Sequence, residues 1–103
     1  MLTQYTAIDE SKKFISDLKN LGINLKKAYL FGSYSNQRQQ EHSDIDIATI
    51  SDDFTGIGQV DIKFFLNVLR NNKLIHAETY SAAEFEEGNP FIEETIKKGV
   101  KLL

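Results

Sequence analysis

Leu30-Phe31-Gly32-Ser33, followed after a gap of ten residues by Asp44-Ile45-Asp46-Ile47, is the stretch on which the reading of this chain turns. Ala28-Tyr29-Leu30-Phe31 is a continuous apolar run and predicts a strand buried on both faces. Asp44 to Ile50 alternates strictly, which predicts a second strand. Asp44 and Asp46 then share one face, and Ile45 and Ile47 lie on the other, against the core. A Gly-Ser leaving an apolar strand, with two acids on one face of the next, supplies what phosphoryl-group chemistry with a divalent cation requires.

Gly32 carries no side chain, so the backbone there can approach a phosphate closely, and Ser33 adds an amide and a hydroxyl at an expected helix start. Two carboxylates at alternate strand positions lie about 6.6 Å apart between α-carbons, from a rise of about 3.3 Å per residue. At an effective dielectric of about 20 they repel by roughly 2–3 kcal/mol. A divalent cation between them converts that repulsion into binding. Mg²⁺ suits the arrangement, because it takes one or two carboxylates and completes its shell with water and substrate phosphates.

The third strand is expected from Leu74 to Tyr80. His76, Glu78 and Tyr80 share one of its faces, so Glu78 is a candidate third metal ligand beside the Asp pair. His76 reads as a hydrogen-bonded surface histidine rather than a ligand.

Around these strands the remaining elements are marked by periodicity and caps. Asp9 to Leu21 predicts a first helix, with Phe14, Leu18 and Leu21 at helical spacing and Gly22 ending it. Tyr34 to Ser43 is polar and Gln-rich, a short turn and loop, and Ser51-Asp52-Asp53-Phe54-Thr55-Gly56 has turn chemistry. Gly58 to Asn71 predicts a second helix, whose Val60, Ile62, Phe64, Phe65, Leu66, Val68 and Leu69 exceed a single apolar stripe. The surplus suggests an interface, with a helical partner or with a second copy. Ser81 is placed to cap a short helical turn. Asn89 and Pro90 open a last helix with Glu93-Glu94 early, Lys97-Lys98 late and Gly99 after it, and Val100 to Leu103 is a closing strand. The expected fold is α/β: a small mixed sheet with helices mainly on one face, formed by residues 1–103 as one domain.

Composition narrows the function. A net charge of −3, with the lysines in separated pairs, opposes a domain built to coat nucleic acid, which needs a basic surface. No apolar run reaches 18 residues, so no membrane span is expected. Met1 to Tyr5 lacks the basic-then-apolar layout of a signal peptide, which reads as a cytoplasmic protein. Without cysteine there are no disulfides, thiolate metal sites or thiol nucleophiles, and any metal is expected to be hard and oxygen-bound.

Leu30-Phe31-Gly32-Ser33-Tyr34, the ten-residue gap and Ser43-Asp44-Ile45-Asp46-Ile47-Ala48 resemble the signature of minimal nucleotidyltransferases, the stand-alone catalytic domains of the DNA polymerase beta-like superfamily. The likeness runs on through Ser51 to Phe54 and into Asn89-Pro90-Phe91-Ile92 and Gly99. The resemblance implies transfer of a nucleoside monophosphate from an NTP, most simply AMP from ATP, to an acceptor hydroxyl or phosphate, with Mg²⁺ and release of pyrophosphate. It implies that Gly32 and Ser33 hold the triphosphate, with Arg38 the nearest cation. Asp44 and Asp46 would bind metal, and the third acidic position falls at Glu78, a glutamate where aspartate is common. Many minimal nucleotidyltransferases resemble antitoxins paired with an all-helical HEPN toxin that they modify with AMP, which makes such a protein the expected partner. The competing expectation is a non-catalytic nucleotide-binding or protein-interaction module that retains the fold.

Overall fold

The computed structural model describes residues 4–31 and 45–103. Gly32, Ser33, Arg38 and Asp44 lie outside them.

The first helix, α1, covers Gln4–Asn20 and starts earlier than its apolar spacing suggests. Its inner face is Ala7, Ser11, Phe14 and Leu18, all fully buried, and two of these are too small or too polar to register as core. Ser11 is tolerated there because its hydroxyl donates to the Ala7 carbonyl at 2.6 Å. Gly22, at φ 99°, ends the helix as expected. The Ile23 N–H reaches the Leu18 carbonyl at 3.1 Å and the Gly22 N–H the Lys19 carbonyl at 3.0 Å, the paired bonds of a left-handed C-terminal cap.

Strands β1 (Leu25–Phe31), β2 (Ile45–Ser51), β3 (Ile75–Ser81) and β4 (Val100–Lys101) form one mixed sheet in the order β3-β2-β1-β4. β2 runs antiparallel to β1 and parallel to β3, and β4 pairs antiparallel with β1 on the far edge. β1 begins three residues before its apolar run. Its first half carries Lys26 and Lys27, and the register with β2 shifts between Leu25 and Lys27. Lys26 meets Asp52 in an exposed ion pair at 3.0 Å.

One sheet face, with Ala28, Leu30, Ile45, Ile47, Ile75 and Ala77, packs on Phe14 and Leu18 of α1 and on Phe65 and Val68. The alternation assigned to Ile45 and Ile47 is therefore the one observed. The opposite face carries a second, smaller core of Tyr29, Ala48, Ile50 and Tyr80, covered by Ala82 of α4 (Ala82–Glu87) and Ile92 of α5 (Pro90–Lys98). Ser81 and Glu84 make the reciprocal capping box that opens α4.

The segment 58–70 differs from the single helix expected. It is a short α2 (Gly58–Asp61), a 3₁₀ turn (Ile62–Phe65) and α3 (Leu66–Arg70). Two anchors break it. Asp61 is fully buried and tied to the preceding turn, while Phe65 leaves helical geometry at φ −136° and inserts its ring between Phe14 and Phe54, at centroid distances of 6.3 and 5.7 Å. The outer residues Ile57, Val60, Phe64 and Leu66 are left exposed, so the apolar surplus read from the sequence is a surface feature.

Gly99 closes α5 where the chain turns back onto β1. A β-carbon there would stand 2.8 Å from the Thr95 carbonyl oxygen and 2.9 Å from that of Leu30. Both are backbone atoms and cannot swing away. Gly99→Val is therefore expected to cost about 1–3 kcal/mol, read by urea denaturation. An unchanged midpoint would show that β4 and α5 separate freely from β1.

Candidate active site

Among the described residues, the second face of the sheet is only partly roofed. α4 and α5 cover Ala48, Ile50 and Tyr80, whereas Asp46, at the N-terminal end of β2, remains 28% exposed at its side chain. The alternation that sends Ile45 and Ile47 inward presents Asp46 outward, which is how an acid comes to sit on a central strand without being buried.

Parallel pairing sets what stands beside it. Asp46 is in register with His76, and Ala48 with Glu78. Across β1, Asp46 faces Phe31. The His76 ring, 59% exposed, places Nδ1 3.1 Å from Asp46 Oδ1. Glu78 shares this face but lies one side-chain repeat further along β3, diagonal to Asp46, with a Cα separation of roughly 8 Å from a strand spacing of about 4.8 Å and a rise of about 3.3 Å. Asp46 and Glu78 thus lie on one face of adjacent strands, as their alternation predicts, and His76 is the nearer of the two β3 side chains. That neighbour was not legible in the sequence, because the register of a parallel pair is set by no hairpin turn.

The next residue on the face is not a base. Burial, with the Glu78 and Glu84 carboxylates nearby, pushes the Tyr80 phenol up to about 12, so it stays protonated through neutral pH.

The donor set fits a divalent cation in its chemistry. Asp46 is an accessible carboxylate with an imidazole nitrogen at hydrogen-bond distance, and Asp44 stands two positions earlier in the sequence. Among the described residues, no group of three or more acidic or histidine side chains is drawn together around one point. A groove of about 510 Å³ is lined by Leu21, Gly22, Ile23, Asp53, Phe54 and Phe64, and includes neither Asp46 nor Glu78.

Asp61 is an organising residue that the sequence does not mark. Its carboxylate accepts from the Thr55 N–H at 2.8 Å, the Gly56 N–H at 3.0 Å and the hydroxyls of Thr55 and Thr79 at 2.9 and 2.7 Å. Burial alone would raise its pKa, and these hydrogen bonds outweigh it, holding the carboxyl below the usual carboxylate value. An acid six residues after Thr55 on an amphipathic segment reads as a solvated face, so nothing local distinguished it.

A mixed sheet with its larger helices on one face and α4 and α5 on the other thus presents Asp46 at the partly exposed end of a central strand. The family of polymerase beta nucleotidyltransferases matches residues 12–103, and the chain belongs to it. It is a nucleotidyltransferase by that membership. Among solved structures it resembles a candidate nucleotidyltransferase from Sulfolobus solfataricus at 20% identity, with a TM-score of 0.64 over 82% of this chain and 75% of that one. It also resembles a toxin–antitoxin with AMP-PNP at 23% identity, with a TM-score of 0.62 over 91% of this chain and 72% of that one. A mutant of the toxin–antitoxin MntA-HpeT matches at 20% identity, with a TM-score of 0.59 over 88% and 70%. At these identities the likeness is one of fold. No curated protein matches the chain. Among the described residues, no helix is long and apolar enough to cross a membrane.

Proposed function

We propose that this chain transfers a nucleoside monophosphate, AMP from ATP, to a hydroxyl on a helical partner protein, as the antitoxin of a HEPN-type toxin pair. The observation that carries this reading is Asp46, held by β2 on an open sheet face with a second acid two residues before it in the sequence and Glu78 on the adjacent strand.

The acceptor oxygen bonds to the α-phosphorus while the bond from that phosphorus to the bridging oxygen breaks, and pyrophosphate leaves with the electron pair. The hydroxyl proton passes to Glu78, expected from the sequence as a third metal ligand and assigned here to the proton because it stands one repeat beyond His76 on β3. Asp44 and Asp46 would hold Mg²⁺, which when bound would offset charge on the triphosphate. Gly32, Ser33 and Arg38 receive the phosphates.

The partner assignment draws support from two features. Both toxin–antitoxin structures share this fold, one of them with AMP-PNP. The chain itself exposes Phe64 at 64%, with Leu21, Ile57, Val60 and Leu66 also exposed. An apolar surface of this kind marks an interaction site. Phe64→Asp is expected to weaken partner binding about tenfold or more, while leaving stability within about 0.5 kcal/mol. Calorimetric titration reads the affinity, and unchanged affinity would place the partner on another face.

The direct test is incubation with each labelled NTP and Mg²⁺, with and without the protein encoded by the adjacent reading frame, beside an Asp44→Asn/Asp46→Asn variant. Label transfer lost in that variant supports the assignment. Transfer that persists in it removes these acids from the chemistry.

A further inference from the structure

The nitrogen beside Asp46 is the feature that the three-carboxylate reading does not absorb. We infer that His76 Nδ1 and Asp46 Oδ1 bind the same divalent cation, so that the site takes one imidazole ligand and favours a first-row transition ion over Mg²⁺. The inference rests on the proposed role of Asp46 and reverses the sequence reading of His76 as a bystander.

Three observations carry it. The two residues are direct partners in the parallel ladder, so the backbone fixes their proximity. Their 3.1 Å separation suits two donors to one ion, because ligands about 2.1 Å from a six-coordinate ion, at right angles, stand about 3.0 Å apart. The ring is 59% exposed, so a cation and its water shell have access. Glu78, one repeat further along, is the more distant of the two β3 side chains and stays free to take a proton.

Imidazole changes which ions the site prefers. Mg²⁺ is hard, keeps its waters and takes oxygen donors, whereas nitrogen ligation raises affinity for transition ions. The test is Mn²⁺ binding to the whole chain, followed by electron paramagnetic resonance for affinity and by electron spin-echo modulation for directly bonded ¹⁴N, with Mg²⁺ measured by competition.

The wild-type protein is expected to show directly coordinated nitrogen. His76→Ala should lose that signal and about tenfold in Mn²⁺ affinity, with a smaller loss for Mg²⁺. His76→Asp should shift the preference back towards Mg²⁺. His42→Ala, which removes the only other histidine, should retain the nitrogen signal. The inference is overturned if no ¹⁴N coupling is seen while Asp46→Asn still weakens Mn²⁺ binding, since His76 is then only hydrogen-bonded to a liganding acid. It is equally overturned if the coupling survives His76→Ala. Mn²⁺ affinity unchanged by Asp46→Asn would overturn it together with the metal role of Asp46.

Discussion

Asp46→Asn is expected to lower nucleotidyl transfer on the order of 10³-fold, about 4 kcal/mol of transition-state stabilisation, without unfolding the protein. The side chain is partly exposed and its one described polar partner is His76. The amide keeps the shape of the acid and removes only its charge. The alternate acids Asp44 and Asp46 are expected from the sequence to repel each other, so neutralising one relieves strain that no core contact offsets. The melting temperature should equal or exceed that of the wild type, in keeping with the common trade of stability for activity at functional sites. Steady-state transfer and a thermal melt on the same sample check both halves. A variant that retains full activity removes Asp46 from the site, and one that melts far below the wild type shows that Asp46 serves the fold.

The largest effect on stability is expected at Asp61. Replacing it by Ala leaves the Thr55 and Gly56 N–H groups and two hydroxyls without their acceptor around a buried cavity. The cost is about 3–5 kcal/mol, a large share of the about 5–15 kcal/mol that holds a typical domain together. Asp61→Asn keeps the volume but turns an amide donor towards donors. The cost is then about 2–3 kcal/mol, a fall of roughly 10–20 °C in melting temperature for a domain of this size.

The same carboxylate gives a pH signature. Its pKa is depressed in the folded state, so protons bind it more readily in the unfolded chain. Its stabilisation is present above the unfolded value, about 3.9, and is lost as pH falls through the lower folded value. Acid denaturation curves should therefore lose steepness in this window in Asp61→Asn. Parallel acid limbs in the two proteins would assign the effect to other carboxylates.

These two residues mark how far the sequence could be read. The outward placement of Asp46 was legible because the alternation of residues 44–47 allows one inward set, and β2 buries Ile45 and Ile47 in the larger core. The caps were legible for the same local reason: Gly22 ends α1, Ser81 opens α4 and Pro90 opens α5. Asp61 was not, because its partners Thr55 and Thr79 come from a turn and from another strand. Nor was the break of 58–70 into three pieces, since Phe65 leaves helical geometry to reach Phe14, 51 positions earlier in the chain. α1 began before its expected start because Ala7 fills a core position with little apolar signal. The His76 neighbour of Asp46 depended on a parallel register that only the assembled sheet defines. Local chemistry was readable, and long-range pairing was not.

The central claim is transfer of a nucleoside monophosphate, and the fate of the two ends of ATP tests it most directly. Protein, Mg²⁺ and the protein from the adjacent reading frame are incubated in parallel with ATP labelled at the α- or the γ-phosphate. The account predicts that the α-label becomes covalently attached to the partner while the γ-label appears only in pyrophosphate. Covalent γ-label, or no covalent label from either nucleotide, would contradict it.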